Sequence, residues 1–131
     1  MKTFFNLIFG LVLVLGFVAC SDEEVTPLKE TVWVESRWVV ENCDDPNDEF
    51  VEESGCTNDY CYKVIFGETT VEFIESDMEG TYSSSTEYTE ANGTITIEGN
   101  AIRYEIRGNR MLWFFSDEND PCDVYLEFTA Q

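Results

Sequence analysis

The residues of this chain best equipped for chemistry are its acids and its cysteines. It holds 27 Asp and Glu, five Cys and no His. Without His, the usual general base, the commonest metal ligand and every Ser-His nucleophile pair are missing. Paired carboxylates can hydrolyse glycosides. Among so many acids, however, pairs arise by chance, and no diagnostic motif frames one. The expectation is a protein that is not an enzyme and carries no cofactor. Two acidic runs remain as metal candidates. Asp44, Asp45, Asp48 and Glu49 follow Cys43, while Asp117, Glu118, Asp120 and Asp123 surround Cys122. Oxygen ligands drawn from two loops suit calcium, with Asp44, Asp45, Asp48, Asp117 and Asp120 as the candidate set. Asp45-x-Asn47-x-Glu49 lacks the glycine and distal glutamate of an EF-hand loop, so solvated acidic loops are the plainer reading.

The N-terminus supplies an address for these residues. Lys2 precedes an apolar run from Phe4 to Val18, and Ala19 stands directly before Cys20. This pattern resembles a bacterial lipoprotein signal peptide over residues 1–19, with Cys20 as the acylated first residue of the mature chain. The competing readings are a plain secretory signal and a membrane anchor. The apolar run is a little short for the ~20 residues an anchor needs. Ser21-Asp22-Glu23-Glu24 resembles the acidic export signal of Bacteroidetes-type lipoproteins. It implies a lipid-anchored outer-membrane protein at the cell surface, on an acidic tether over residues 20–30. With Cys20 assigned to lipid, Cys43, Cys56, Cys61 and Cys122 form an even set in an oxidising compartment, which reads as two disulfides. A zinc site is the competitor, but Cys56-x4-Cys61 is wide and has no second close pair beside it.

Charge narrows the partners. Loss of Lys2 with the signal takes the formal charge from −20 to −21. Nucleic acid and anionic lipid surfaces repel such a domain, while a cationic protein is attracted. Fifteen aromatics between Val32 and Gln131 are too many for a disordered acidic chain. The mature length suits one domain, expected to be monomeric.

From residue 31 onward the pattern is β, and no window holds a helix. Tyr60, Tyr62, Val64 and Phe66 share a face, as do Val71 and Phe73. Thr94 to Glu98 and Ala101 to Arg107 alternate strictly. Arg110 to Ser116 is apolar on both sides, as in a doubly buried strand. Gly80 to Ala91 is polar, like an exposed or edge strand. Asn92-Gly93, Gly99-Asn100 and Gly108-Asn109 mark tight turns. Together with Thr31 to Cys43 and a last strand carrying Val124, Leu126 and Phe128, these make eight antiparallel strands. The expected fold is all-β, an up-and-down meander closing into a small barrel over residues 31–131.

In Ser36-Arg37-Trp38, the Gly80-Thr-Tyr82 step, the Asn92-Gly93 turn before Ile95 and Ile97, and the run from Ile102 through Gly108 into Met111-Leu-Trp-Phe-Phe115, the chain resembles the lipocalin-like lipoproteins of Bacteroidetes-type bacteria. Thr31-x-Trp33 offers a second frame for the first of these signatures. The resemblance implies a pocket for a small hydrophobic ligand. Trp38, Val40, Phe66, Phe73, Ile95, Ile97, Tyr104, Trp113 and Phe128 are the inward candidates to line it. A filled interior is the alternative, since eight strands leave room for side chains or for one ligand. If the barrel closes, the end of its first strand meets the start of its last, which would pair Cys43 with Cys122 and leave Cys56 for Cys61. The other two connectivities stay open. Three functions compete: a small-ligand carrier, a module whose acidic loops hold a cationic protein, and a structural surface domain.

Overall fold

A computed structural model describes residues 24–131. Residues 1–23, which include the expected signal peptide, Cys20 and the Ser21-Asp22-Glu23 stretch, lie outside the described residues. Nine strands form: β1 (Val32–Glu41), β2 (Phe50–Glu53), β3 (Tyr60–Phe66), β4 (Thr70–Asp77), β5 (Gly80–Ala91), β6 (Thr94–Ile97), β7 (Asn100–Arg107), β8 (Arg110–Phe114) and β9 (Asp123–Ala130). Among the described residues the one helical element is a 3-10 turn at Pro46–Asp48. Consecutive strands from β3 to β9 pair antiparallel. The ring then closes through β1, which pairs with β9 from Trp33↔Ala130 to Glu41↔Asp123 and with β3 from Val32↔Ile65 to Val34↔Lys63. The result is a closed eight-stranded barrel with one extra strand.

The extra strand is β2, absent from the sequence-based expectation. It pairs with β1 from Arg37↔Glu53 to Val40↔Phe50. Thus β2 and β3 run in the same direction, end to end along one edge of β1. The loop between them is cinched by the Cys56–Cys61 disulfide. The Ser54 amide donates to the Ser36 carbonyl at 2.9 Å where β2 ends. Ser36 is also where β1 bulges against β9, between Glu35 and Arg37. The second disulfide joins Cys43 to Cys122 just past the Glu41↔Asp123 end of the seam. Both pairings are the ones expected from barrel closure. One turn shifts by a residue: Glu98 (φ 50°) and Gly99 (φ 82°) make the β6–β7 turn, rather than Gly99-Asn100. Two successive positive φ angles match the twist of a tight hairpin.

Inward residues alternate with outward ones, and the interior is packed at one end. Trp33, Val64, Phe66, Val71, Ile95, Met111 and Phe128 are fully buried there, joined by Tyr88 and Trp113. Phe66 meets Tyr88 edge-on with ring centroids 5.1 Å apart, and Trp113 meets Phe128 at 4.9 Å. The indole N–H of Trp113 has no hydrogen-bond partner. That costs about 1–3 kcal/mol, which the burial of its ring against these neighbours offsets.

The floor of this end is made by a segment assigned above to the tether. Trp33 Nε1 donates to the Leu28 carbonyl at 3.0 Å. The Thr26 amide reaches the Gly108 carbonyl at 3.1 Å, and the Glu30 amide reaches Phe66 at 2.8 Å. The docked domain therefore begins at about Thr26, not at residue 31.

Strand β8 is buried on both faces. Its outward residues Leu112 and Phe114 join Val39 and Tyr125 in a second apolar cluster outside the barrel. Polar side chains roof that cluster. Arg103 lies over the Phe114 ring, 3.7 Å from its centroid. Glu127, only 3% exposed, receives Arg37 at 2.7 Å and Arg110 at 3.2 Å. Its charge is tolerated there because two guanidiniums satisfy it.

Candidate functional site

At the end opposite the Trp33 floor the barrel opens into a cleft of about 340 Å³, lined by Tyr62, Phe73, Glu75, Tyr82, Ser83 and Ser84. The volume is at the lower end of the range for small-molecule sites. Strand register builds it. Tyr62 pairs with Glu75, and Glu75 with Tyr82, so the three side chains form one row across β3, β4 and β5. In the next row toward the core, Val64, Phe73 and Ser84 stand side by side. Residues paired across an antiparallel ladder share a face, and this face points inward because Val64 and Val71 do. A carboxylate thus stands between two phenol rings on an aromatic floor. Tyr62 and Phe73 stack with centroids 6.3 Å apart. Across the mouth Trp38 stacks on Phe115 at 5.4 Å.

Glu35 joins this setting from β1. It pairs with Phe128 and so faces inward. Burial first, then neighbouring Tyr60 and the charges of Glu35 and Glu75, push the Tyr62 phenol up to about 12. Tyr60 is raised by burial and the same two carboxylates. Burial and a 3.0 Å hydrogen bond to Glu90 take Tyr104 to about 12. Tyr88 and Tyr125 are also raised, first by burial.

These shifts predict alkaline lability. A phenol whose folded value exceeds its unfolded value of ~10 gives stability that is complete below pH 10 and lost as pH climbs through the folded value. The thermal midpoint is expected to hold to about pH 9 and fall between about 10 and 12, with phenolate absorbance rising as the fold is lost. Tyr62→Phe should remove part of that fall. Phenolate absorbance rising below about pH 10 on an intact fold would contradict it.

The residues expected to line a ligand pocket separate into three groups. Phe66, Ile95, Trp113 and Phe128 are buried in the packed core, and Ile97 and Tyr104 pack partly buried against it. These six fill space against one another, as in the filled-interior alternative. Trp38 and Val40 face inward in register with Leu126 and Val124, Trp38 at the mouth. Of the nine, Phe73 alone lines the cleft. Tyr62, Glu75 and Tyr82 were not among the candidates. Their signal was the alternation Val71, Phe73, Glu75, which puts an acid on an inward position.

The weak calcium candidates lie in the two acidic loops, for which solvated loops are the plainer reading. The disulfide does gather both acidic loops at the mouth end, where the Asp44 amide donates to the Pro121 carbonyl at 2.8 Å. Three of the five candidate carboxylates serve the loops themselves. Asp45 accepts from the Asn47 amide at 2.9 Å, which with the Asn47 side chain holds its carboxyl below the usual range. Asp117 accepts from the Asn119 amide, and Asp120 from the Asp117 amide. Among the described residues no three acids or cysteines are arranged to hold a metal ion.

Two other depressions, of about 490 and 530 Å³, lie on the outer wall beside Glu87, Thr89 and Thr96 and beside Arg103 and Phe114. In the mouth cleft every lining residue but Ser83 faces inward by register, whereas the other two each have a single inward residue, Tyr88 and Phe115. No family model, curated protein or solved structure matches the chain, and the chemistry of the cleft rests on its own residues.

Proposed function

We propose that this protein is a lipid-anchored, lipocalin-like surface protein that binds a small ligand with an apolar face at the mouth of its barrel and performs no catalysis. The observation that carries the reading is the Tyr62–Glu75–Tyr82 row over Phe73, an aromatic cleft held open at one end of an otherwise packed barrel. Its placement fits an anchor at Cys20. The chain joins the barrel at the closed end, where Thr26 docks on Gly108. Five residues lie between Cys20 and Thr26, a reach of at most ~20 Å. An acylated Cys20 would therefore keep the closed end near the membrane and turn the cleft outward, toward whatever diffuses past.

Native mass spectrometry tests this reading on the full chain, expressed in an oxidising bacterial compartment and exposed to a bacterial small-molecule and lipid extract. The expected result is an added mass that organic extraction removes and that Tyr82→Ala diminishes. Tyr82 is 54% exposed, so this variant should keep the fold. A bare mass would overturn the small-ligand reading.

A second reading draws on the rim. Residues 42–59, 75–80 and 116–123 hold seven, three and four acids respectively, with no Lys or Arg in any of them. Such a rim attracts a cationic protein, and salt-sensitive association with one, at unchanged occupancy of the cleft, is its distinguishing outcome.

A further inference from the structure

We infer that the ligand of the mouth cleft is an organic ammonium, a small molecule carrying a positive nitrogen beside an apolar group. The inference rests on the cleft being the binding site and adds the chemical class of its occupant.

Three features converge on it. The wall supplies aromatic faces around one carboxylate, Glu75 between Tyr62 and Tyr82 with Phe73 beneath. Ring faces and a carboxylate both favour a cation, and a soft, weakly hydrated organic cation suits aromatic walls better than a metal ion does. No three acids or cysteines among the described residues could hold a metal in any case.

The second feature is a second inward carboxylate. Glu35 faces the interior from β1 in register with Phe128. It acts on the same tyrosines as Glu75 does.

The third is the placement of the basic residues. Arg37 and Arg110 are held by Glu127 on the outer wall, and Arg103 and Arg107 by Glu105. Lys29 pairs with Glu68 at the closed end. Lys63 alternates outward between Tyr62 and Val64. By strand alternation no Lys or Arg faces the interior among the described residues, so the inward carboxylates keep their field for a ligand. An anionic headgroup would meet Glu75 and the acidic rim without a compensating cation. Glu75 is exposed at the open side of the cleft, and a purely apolar molecule would partly desolvate it without offering a partner, which is unfavourable.

The test is a titration of the full chain, purified in a neutral glycoside detergent, with three probes of similar size: benzyltrimethylammonium, benzyl alcohol and benzoate. Ionic strength is held constant and backbone amide shifts are followed by NMR. Benzyltrimethylammonium is expected to move the amides of Phe73, Glu75 and Tyr82 and to bind at least about fivefold more tightly than benzyl alcohol, with benzoate weakest. Glu75→Gln should weaken the ammonium by about three- to fivefold and leave benzyl alcohol unchanged. If benzyl alcohol moves the same amides with equal affinity and Glu75→Gln changes nothing, the ammonium inference is wrong while the cleft reading stands. If none of the probes moves those amides, the cleft reading fails with it. Shifts confined to Asp44–Glu49 and Asp117–Asp120 would overturn the inference too, since they would report bulk attraction to acidic loops.

Discussion

Removing the Cys43–Cys122 disulfide by a double alanine substitution is expected to cost about 4–5 kcal/mol, and removing Cys56–Cys61 about 2 kcal/mol. The difference comes from the loops they close, since the two bridges span 79 and 5 residues of sequence. In the chain-entropy model a long closure restricts the unfolded ensemble far more than a short one. For a domain of this size the seam variant should melt roughly 15–20 °C lower. The fold gives the larger figure a second cause. The bridge sits just past the Glu41↔Asp123 end of the β1–β9 ladder, and that ladder is the contact that turns a meander into a barrel. Without the bridge, the seam can fray from the mouth inward. Urea denaturation of both double variants decides the matter. Equal losses would show that the seam bridge adds no more than a local clip.

The strand pattern was legible because most of the barrel obeys one rule. Where Val71, Ile95 or Phe128 alternate with polar residues, a core-facing strand is the physical consequence. The bridge at the seam followed from the same closure. Strand β2 escaped because all four of its residues are exposed. It is held to β1 by backbone pairing, which leaves no mark in apolar periodicity. The outer cluster of Val39, Leu112, Phe114 and Tyr125 was visible only as the two-sided apolarity of β8. Its partners come from β1 and β9, and only a closed sheet brings those strands alongside. Glu75 and Tyr82 were hidden in another way. An acid in a sequence so rich in acids carries no weight until register places it between two tyrosines. The roles of the two tryptophans in β1 depended on a single irregularity. Trp33 and Trp38 are five residues apart, so in a regular strand they would face opposite sides. On β9 their partners Ala130 and Leu126 are four apart. The extra residue at Ser36 makes up the difference, as a bulge does, and both rings face inward.

That bulge leads to an expected contrast between two substitutions of the same type. Trp33→Ala should destabilise by about 4–5 kcal/mol, and Trp38→Ala by about 1–2 kcal/mol. Trp33 is fully buried and its removal opens a cavity among Val64, Phe66 and Phe128, which their strands are too constrained to refill. It also frees the Leu28 carbonyl, its 3.0 Å partner, and so loosens the segment that covers the barrel floor. Trp38 is half-buried at the mouth and stacks on Phe115, itself 52% exposed. Solvent can fill the space it leaves, so little beyond the stacking and part of its burial is lost. Hydrogen exchange adds a positional readout. Trp33→Ala should deprotect the Thr26 and Glu30 amides, which bond to Gly108 and Phe66 across the floor, while Trp38→Ala leaves them unchanged. Equal costs for the two variants would place the structural tryptophan in the Ser36-Arg37-Trp38 frame. A larger cost at Trp33 would put it in the Thr31-x-Trp33 frame and leave Trp38 as a mouth residue stacked on Phe115.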